Sequence, residues 1–217
     1  MSLEYPNISA ADFADERFTM PVVSHEQIWQ GRIVSLHSEQ VDLGGKEPVT
    51  REYVRHPGAV AVVPLREYDG QTQVLMIKQY RHPVGKKLWE FPAGLLDIAG
   101  EDYQVAAARE LAEETDLQAK TWNVLVDYYA SPGGYTESLR VFLARDLSEV
   151  PVAQRNFVRE EEEALFEYAW VNLSEALNAV LAGRITNPSA VLGILATSAA
   201  KEQNWTCLRP ANSPWDR

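Results

Sequence analysis

Three things are scarce in this sequence: cysteine, long apolar runs and positive charge. The only cysteine among its 217 residues is Cys207, so no disulfide can form within the chain and a reducing compartment is expected. No run approaches the roughly 20 apolar residues that cross a membrane. The acidic N-terminal stretch has no Lys or Arg before Arg17 and lacks the pattern of a signal peptide. We therefore predict a cytoplasmic protein without a membrane partner.

The charge balance is acidic, with 31 acidic against 20 basic residues and a net charge of −11 at pH 7. A nucleic-acid groove or an anionic membrane surface needs clustered cations, so this balance argues against both kinds of partner. Residues 51–87 are an exception, because seven basic residues there outnumber three acidic ones. This local excess predicts a site for a small anionic ligand. Its basic members are Arg51, Arg55, Arg66, Lys78, Arg81, Lys86 and Lys87.

The chain divides into three zones. Residues 1–56 combine an N-terminal arm with β-prone segments that turn at Gly44-Gly45, which predicts a small antiparallel β subdomain. Residues 57–205 carry the stronger apolar runs and form the main domain, and residues 206–217 form a tail. The predicted strands of the main domain are 58–65, 73–80, 122–130, 139–147 and 167–173, and the predicted helices are 102–115, 173–182 and 188–201. Strands outnumber helices, so the predicted fold class is α+β.

The stretch "RELAEETDL" (109–117) places Glu110, Glu113 and Glu114 within about one helical turn. Like charges three or four residues apart destabilise a helix by roughly 0.2–0.5 kcal/mol per pair, so a cation among them would relieve a real repulsion. On a helical wheel the glutamates share one side, which predicts an acidic face turned to a cleft or to solvent. The opposite, anchoring side carries Val105, Ala108, Leu111, Ala112 and Thr115.

With Gly94, Glu101, Arg109 and Leu117, these glutamates resemble the Nudix box, G-x5-E-x7-R-E-U-x-E-E-x-G-U, in which U is aliphatic. Two departures occur. Six residues rather than five separate Gly94 from Glu101, and Asp116 replaces the glycine that follows the glutamates. Asp tolerates the left-handed conformation of a helix C-terminus better than most residues.

The resemblance implies the Nudix fold, a mixed β-sheet sandwiched between helices (α/β/α), and catalysis with Mg²⁺ or Mn²⁺. It implies that Glu110 and Glu114, with the backbone oxygen of Ala93, hold the metal. Glu113 is implied as a further ligand or as a carboxylate behind the ligands. Gly94, Glu101 and Arg109 take structural roles, with Arg109 forming salt bridges to the glutamates and to Glu101.

Three further segments are similar to the ADP-ribose pyrophosphatase subfamily: "QYRHPVGKKLWEFPAG" (79–94), "TREYVRHPGAVAVVP" (50–64) and "ASPGGYTES" (130–138). In the last, Pro132 lies sixteen residues past Asp116, the spacing of members that prefer ADP-ribose. Trp29 is a candidate for stacking on adenine, with core packing as the alternative. The substrate-binding residues implied by this resemblance are Arg51, Glu52, Arg81, Ser131, Pro132, Gly133 and Gly134.

The acidic segment "REEEEALFE" (159–167) corresponds to the loop that carries the general base in this subfamily. Counting from Trp170 places the base at Glu162, with Glu161 and Glu163 as alternatives and Glu163 also as a candidate metal ligand. The expected protein is a homodimer that hydrolyses ADP-ribose to AMP and ribose 5-phosphate. The alternatives are hydrolysis of another nucleotide sugar or a dinucleoside polyphosphate, and a non-catalytic module that senses ADP-ribose.

Overall fold

The computed structural model describes residues 5–155 and 165–217. No helix in these ranges is long and apolar enough to cross a membrane. The helices are α1 (Tyr103–Thr115), α2 (Leu173–Leu181) and α3 (Pro188–Glu202). The strands are β1 (Val22–Gln30), β2 (Ser35–Val41), β3 (Val49–Arg55), β4 (Ala59–Tyr68), β5 (Gln71–Arg81), β6 (Lys86–Glu90), β7 (Ala93–Leu95), β8 (Leu117–Tyr129), β9 (Ser138–Glu149), β10 (Glu167–Asn172) and β11 (Arg209–Pro210).

The strands form two sheets. The smaller sheet is antiparallel, in the order β1-β2-β3, with its β2–β3 turn at the predicted glycines, where Gly44 has φ +78°. The larger sheet has the order β10-β5-β4-β9-β8-β11, with β6 paired to β5 and β7 paired to β4. Its central pair, β4 and β9, is parallel, while its other pairs are antiparallel, so the sheet is mixed.

Helices cover both faces of the larger sheet. Successive side chains of a strand point to opposite faces, and in β4 both sets are buried. Val60 and Val62 pack with α1, whereas Ala61 and Val63 belong to the cluster that includes residues of α2 and α3. The predicted α+β sandwich is therefore confirmed.

The long elements agree with the sequence prediction, and the short strands do not. The three predicted helices are present within one or two residues, and Asn187 caps α3 by accepting a hydrogen bond from the Ala190 N–H at 2.9 Å. Asp116 has φ +59° and ends α1 in the left-handed conformation expected at this position. Strands β6, β7 and β11 were not predicted. They are short, and lysine, glycine or proline interrupts their apolar pattern.

The predicted anchoring side of α1 was right for Leu111 but wrong for Val105 and for the position of Glu114. The buried residues of the helix are Ala106, Ala107, Leu111 and Glu114, while Val105 is 57% exposed. Glu114 thus lies on the same side as the buried alanines. Alanine has a small side chain, so the helix can come close to the sheet there and bring its glutamates against neighbouring backbone. A helical wheel that ranks residues only by hydrophobicity does not include this contact between the glutamates and neighbouring backbone.

We predict that Leu111→Ala lowers the free energy of unfolding by about 2–5 kcal/mol, because Leu111 is fully buried and is the one large aliphatic side chain among the buried residues of α1. The measurement is urea unfolding followed by circular dichroism. Leu181→Ala is the control. Its side chain is 72% exposed, so the same substitution should change stability by no more than about 0.5 kcal/mol.

Candidate active site

Two side chains of α1 contact the backbone of strand β7. A Cβ atom added to Gly94 would lie 2.0 Å from Cδ and Oε1 of Glu110, so only glycine fits beside this carboxylate in its observed position. One residue earlier, the Ala93 N–H donates a hydrogen bond to Oε2 of Glu114 at 3.0 Å. Two carboxylates of α1 therefore face the backbone of one short strand.

The register of β7 explains why its backbone is available to α1. Val62 N–H donates to Pro92 O at 2.8 Å, and Leu96 N–H donates to Gly58 O at 3.0 Å. In an antiparallel pair the hydrogen-bonded positions alternate, so Ala93, which lies opposite Ala61, occupies a non-hydrogen-bonded position. The amide and carbonyl of Ala93 thus point away from β4 and toward α1.

Arg109 neutralises part of the acidic cluster. Its Nη1 donates to Glu110 Oε1 at 2.6 Å and to Glu113 Oε2 at 3.2 Å, while Nε and Nη2 donate to the two oxygens of Glu101, each at 3.2 Å. Hydrogen bonding to Glu101 is the main reason that the pKa of Arg109 is raised. The predicted role of Arg109 as a salt-bridge partner matches these contacts.

The donor atoms around β7 suit a hard cation. Carboxylate and backbone carbonyl oxygens are the ligands that Mg²⁺ and Mn²⁺ take in proteins. Glu110, Glu114 and the Ala93 carbonyl supply this set, and the missing side chain at Gly94 leaves room for the Glu110 carboxylate. Within residues 5–155 and 165–217, no group of three or more His, Cys, Asp or Glu side chains could hold a metal ion by itself.

A cleft of about 450 Å³ opens beside Ala93 and Gly94. Arg81 lines it, and its guanidinium holds Glu90 through three contacts: Nε to Oε1 at 3.0 Å, Nε to Oε2 at 3.2 Å and Nη2 to Oε2 at 2.7 Å. The Glu90 side chain is 3% exposed, whereas that of Arg81 is 42% exposed. A buried carboxylate thus orients a cation at the cleft wall.

Two titratable groups in the cleft were not predicted as site residues. Burial raises the pKa of Glu137, with Arg81 acting in the opposite direction, and burial lowers the pKa of His56. The Gly58 N–H donates to Nδ1 of His56 at 3.0 Å, so this ring nitrogen is the acceptor. Glu137 lies inside the segment "ASPGGYTES", only three residues past Gly134, so the motif itself contained the signal.

The residues that line the cleft also include the start of α3, at 187–189. Tyr128 and Ser189 share a hydrogen bond of 2.7 Å between their hydroxyl oxygens. Burial is the main cause that raises the pKa of Tyr128 to about 12, so this phenol stays protonated at neutral pH. The start of α3 is also the positive end of the helix dipole, so it acts together with Arg81 in favouring an anion in the cleft. Neither residue had a signal in the sequence, because α3 reaches the cleft only through the tertiary fold.

The other predicted substrate-binding residues lie apart from this cleft in the single chain. Arg51 and Glu52 are exposed on β3, and Trp29 on β1 is 56% exposed. The turn at 131–134 is tied to β3, because the Val54 N–H donates to Gly134 O at 2.9 Å and the Thr136 N–H donates to Val54 O at 3.0 Å. The predicted base Glu162 and its alternatives Glu161 and Glu163 lie outside the described residues.

Known proteins resemble this chain over most of its length. The model of the NUDIX domain matches residues 55–190. An ADP-ribose pyrophosphatase of Mycobacterium tuberculosis is 44% identical over 193 residues, which cover 89% of each chain. An ADP-ribose pyrophosphatase of Bacillus subtilis is 37% identical over 73% of this chain and 81% of its own length. A methanol dehydrogenase activator of Bacillus methanolicus is 34% identical over 82% and 91%, respectively.

One solved structure, described as the crystal structure of an ADP compounds hydrolase, superposes with a TM-score of 0.64. It covers 88% of this chain and 98% of its own, at 20% sequence identity. At this identity the likeness concerns the fold. It agrees with the mixed sheet and the helices on its two faces.

We predict that Glu137→Gln stabilises the protein increasingly as the pH rises above the ordinary Glu range near 4.3. The folded state holds the pKa of Glu137 above that range, so ionisation of this carboxyl costs stability as the pH rises through the folded pKa. The measurement is the free energy of unfolding in urea between pH 4 and 8.

Glu167→Gln is the matched control of opposite sign. Hydrogen bonds from Lys78 and Lys87 lower the pKa of Glu167, so its ionised form stabilises the fold above the ordinary range and this contribution is lost at acid pH. Glu167→Gln should therefore destabilise the protein more at neutral than at acid pH. Parallel pH profiles for the two variants would contradict the assignment.

Proposed function

Because this chain belongs to the Nudix family of hydrolases, we propose that it hydrolyses ADP-ribose to AMP and ribose 5-phosphate with the help of Mg²⁺. The observation that carries this proposal is the pair of α1 carboxylates, Glu110 and Glu114, facing the backbone of Ala93 and Gly94 beside a cleft lined by Arg81. Its similarity to two ADP-ribose pyrophosphatases supports the choice of substrate.

Glu110, Glu114 and the Ala93 carbonyl would hold the metal, with Glu113 as a further carboxylate of the cluster. When bound, Mg²⁺ neutralises charge on the pyrophosphate and lowers the pKa of a coordinated water. Arg109 keeps the glutamates in place, because its guanidinium joins Glu110 and Glu113 to Glu101. Mn²⁺ takes the same kinds of ligand and could replace Mg²⁺.

Arg81 would bind the phosphates. Its guanidinium is oriented along the Nε–Nη2 edge by Glu90, and a planar guanidinium suits phosphate oxygens. The start of α3, which lines the same cleft, adds the positive end of a helix dipole. Water adds to one phosphorus, the bridging P–O bond breaks, and AMP and ribose 5-phosphate leave. Glu162 remains our candidate for the base that removes the proton from this water.

The N-terminal sheet supports a homodimer. Every residue of β1 is exposed, including Val22, Val23, Ile28 and Trp29, whose exposed fractions lie between 46% and 63%. A row of exposed apolar side chains of this kind marks an interaction surface. A second subunit packed on it would bring Arg51, Glu52, Trp29 and the turn at 131–134 into a shared substrate site. We place this dimer in the cytoplasm, with no nucleic acid or membrane as partner.

A substrate screen with Mg²⁺ tests the proposal. The purified chain is incubated separately with ADP-ribose, GDP-mannose and diadenosine polyphosphates, and the products are separated by ion-exchange chromatography. We expect ADP-ribose to give the highest kcat/KM, with AMP and ribose 5-phosphate as products. A preference for GDP-mannose or a diadenosine polyphosphate would overturn the substrate assignment but not the family. ADP-ribose that binds without turnover would indicate a sensor.

We predict that Glu114→Gln lowers kcat by at least about 100-fold, because one carboxylate of the metal-binding pair loses its charge and the metal would lower the reaction barrier by several kcal/mol. Initial rates over a range of Mg²⁺ concentrations provide the measurement. Glu202→Gln, on the exposed end of α3, is the control and should keep the wild-type rate. Unchanged turnover of Glu114→Gln with Mg²⁺ would show that the metal assignment is wrong.

A further inference from the structure

Residues 213–217, called the strap below, run across the surface between the larger sheet and the start of α1. A buried arginine anchors this segment. Arg140 on β9 is 1% exposed, and it donates to both carboxylate oxygens of Asp127 at 2.7 and 2.9 Å. It also donates to two carbonyl oxygens of the strap, Ser213 O at 2.7 Å and Pro214 O at 3.0 Å, and lies 5.9 Å from the centroid of the Tyr103 ring. The guanidinium therefore connects the strap to the core of the sheet.

Beyond this anchor the strap contacts the first residue of α1. The indole ring of Trp215 meets the ring of Tyr103 edge to face, with centroids 5.0 Å apart. The guanidinium of Arg217 lies 5.2 Å from the centroid of the Tyr103 ring and 5.1 Å from that of Trp215. The guanidinium of Arg140 also lies over the Trp215 ring, 5.0 Å from its centroid. Aromatic and cation–π contacts of this kind restrict where Tyr103 can lie.

The strap also contacts the start of β4. Nη1 of Arg217 donates to Pro57 O at 2.7 Å and lies so close to Gly58 that an added Cβ would be 2.3 Å from it. Strand β4 begins one residue later and pairs with β7, which carries Ala93 and Gly94. The strap is therefore connected to both units that bear the proposed metal ligands. It contacts helix α1 directly at Tyr103, and it is linked to strand β7 through β4.

The distance between these two units determines where the Glu110 carboxylate lies, because this carboxylate occupies the space beside Gly94 that a Cβ would fill. Leu111 and the buried alanines hold the middle of α1 on the sheet, and in its first turn Tyr103 packs against the edge of the same cluster and against the strap. The first turn of α1 follows the loop at 95–100, which has one residue more than the Nudix box. Arg217 lines a surface pocket together with residues of this loop and Glu101. Glu101 in turn holds Arg109, which contacts Glu110 and Glu113.

We propose that Trp215 and Arg217 are positioning residues for the metal site. They fix the first turn of α1 relative to β7, and thereby the geometry of the Glu101–Arg109–Glu110 contacts. This inference rests on the proposed metal site at Glu110 and Glu114, and it concerns metal affinity rather than the identity of the substrate.

Binding of Mn²⁺ to the free, full-length protein, measured by electron paramagnetic resonance, tests the inference without turnover. We expect Trp215→Ala to weaken Mn²⁺ binding by about 10-fold, the size of effect seen when residues that orient metal ligands are removed. Trp215→Phe keeps an aromatic ring against Tyr103 and should restore most of the affinity. Arg217→Gln, at an exposed residue, should weaken binding in the same direction.

Trp205→Ala is the matched control, because Trp205 is also a partly buried tryptophan with an arginine, Arg145, near its ring, but it packs in the cluster of α2 and α3. It should leave Mn²⁺ binding unchanged. Wild-type Mn²⁺ affinity in both Trp215→Ala and Arg217→Gln would overturn the inference, provided that Glu114→Gln weakens binding. A wild-type protein that binds Mn²⁺ as expected but does not cleave ADP-ribose would overturn only the proposed substrate.

Discussion

The candidate active site depends on how closely α1 approaches β7. Glu110 lies where a Cβ on residue 94 would have to be, and Glu114 accepts a hydrogen bond from the Ala93 amide. Both contacts require small residues on the side of the helix that meets the sheet, and Ala106 and Ala107 provide them. Carboxylates are normally solvated, and their burial is unfavourable unless hydrogen bonds or cations compensate. The same approach that buries Glu114 also brings it to backbone atoms that can bind it.

Arginine provides much of this compensation in an otherwise acidic protein. Arg109 joins three glutamates of the α1 region, Arg81 holds the buried Glu90, and Arg140 holds Asp127 while it anchors the strap. A guanidinium can contact several oxygens at fixed angles, which an ammonium group cannot do. These three arginines therefore hold carboxylates in fixed orientations. This arrangement is compatible with a net charge of −11 and still leaves a cationic wall for an anionic substrate.

Much of the fold could be predicted from the sequence, because strong local patterns agree with the tertiary structure. Strands β4 and β5 follow continuous apolar runs, and α3 begins at the expected Asn187-Pro188. The side of α1 that is buried could not be predicted in this way. Hydrophobicity placed Val105 inside and Glu114 outside, whereas Val105 is exposed and Glu114 is buried. This orientation depends on the packing of the buried α1 residues against β4, β8 and β9 and on the contacts of Glu110 and Glu114 with β7. A helical wheel of α1 alone includes none of these contacts.

The sequence by itself determined that Glu110, Glu113 and Glu114 share one side of a helix, because their spacing places them within about one turn. The metal-dependent chemistry was implied by the resemblance to the Nudix box. The sequence also determined that the helix could end at Asp116. Only the tertiary structure decided which further residues share the cleft, among them Glu90, Glu137, Tyr128 and Ser189. These residues come from two strands, a loop and a helix, so no local spacing relates them. The strap contacts α1 and β4 in the same way, through packing between segments that lie far apart in the chain.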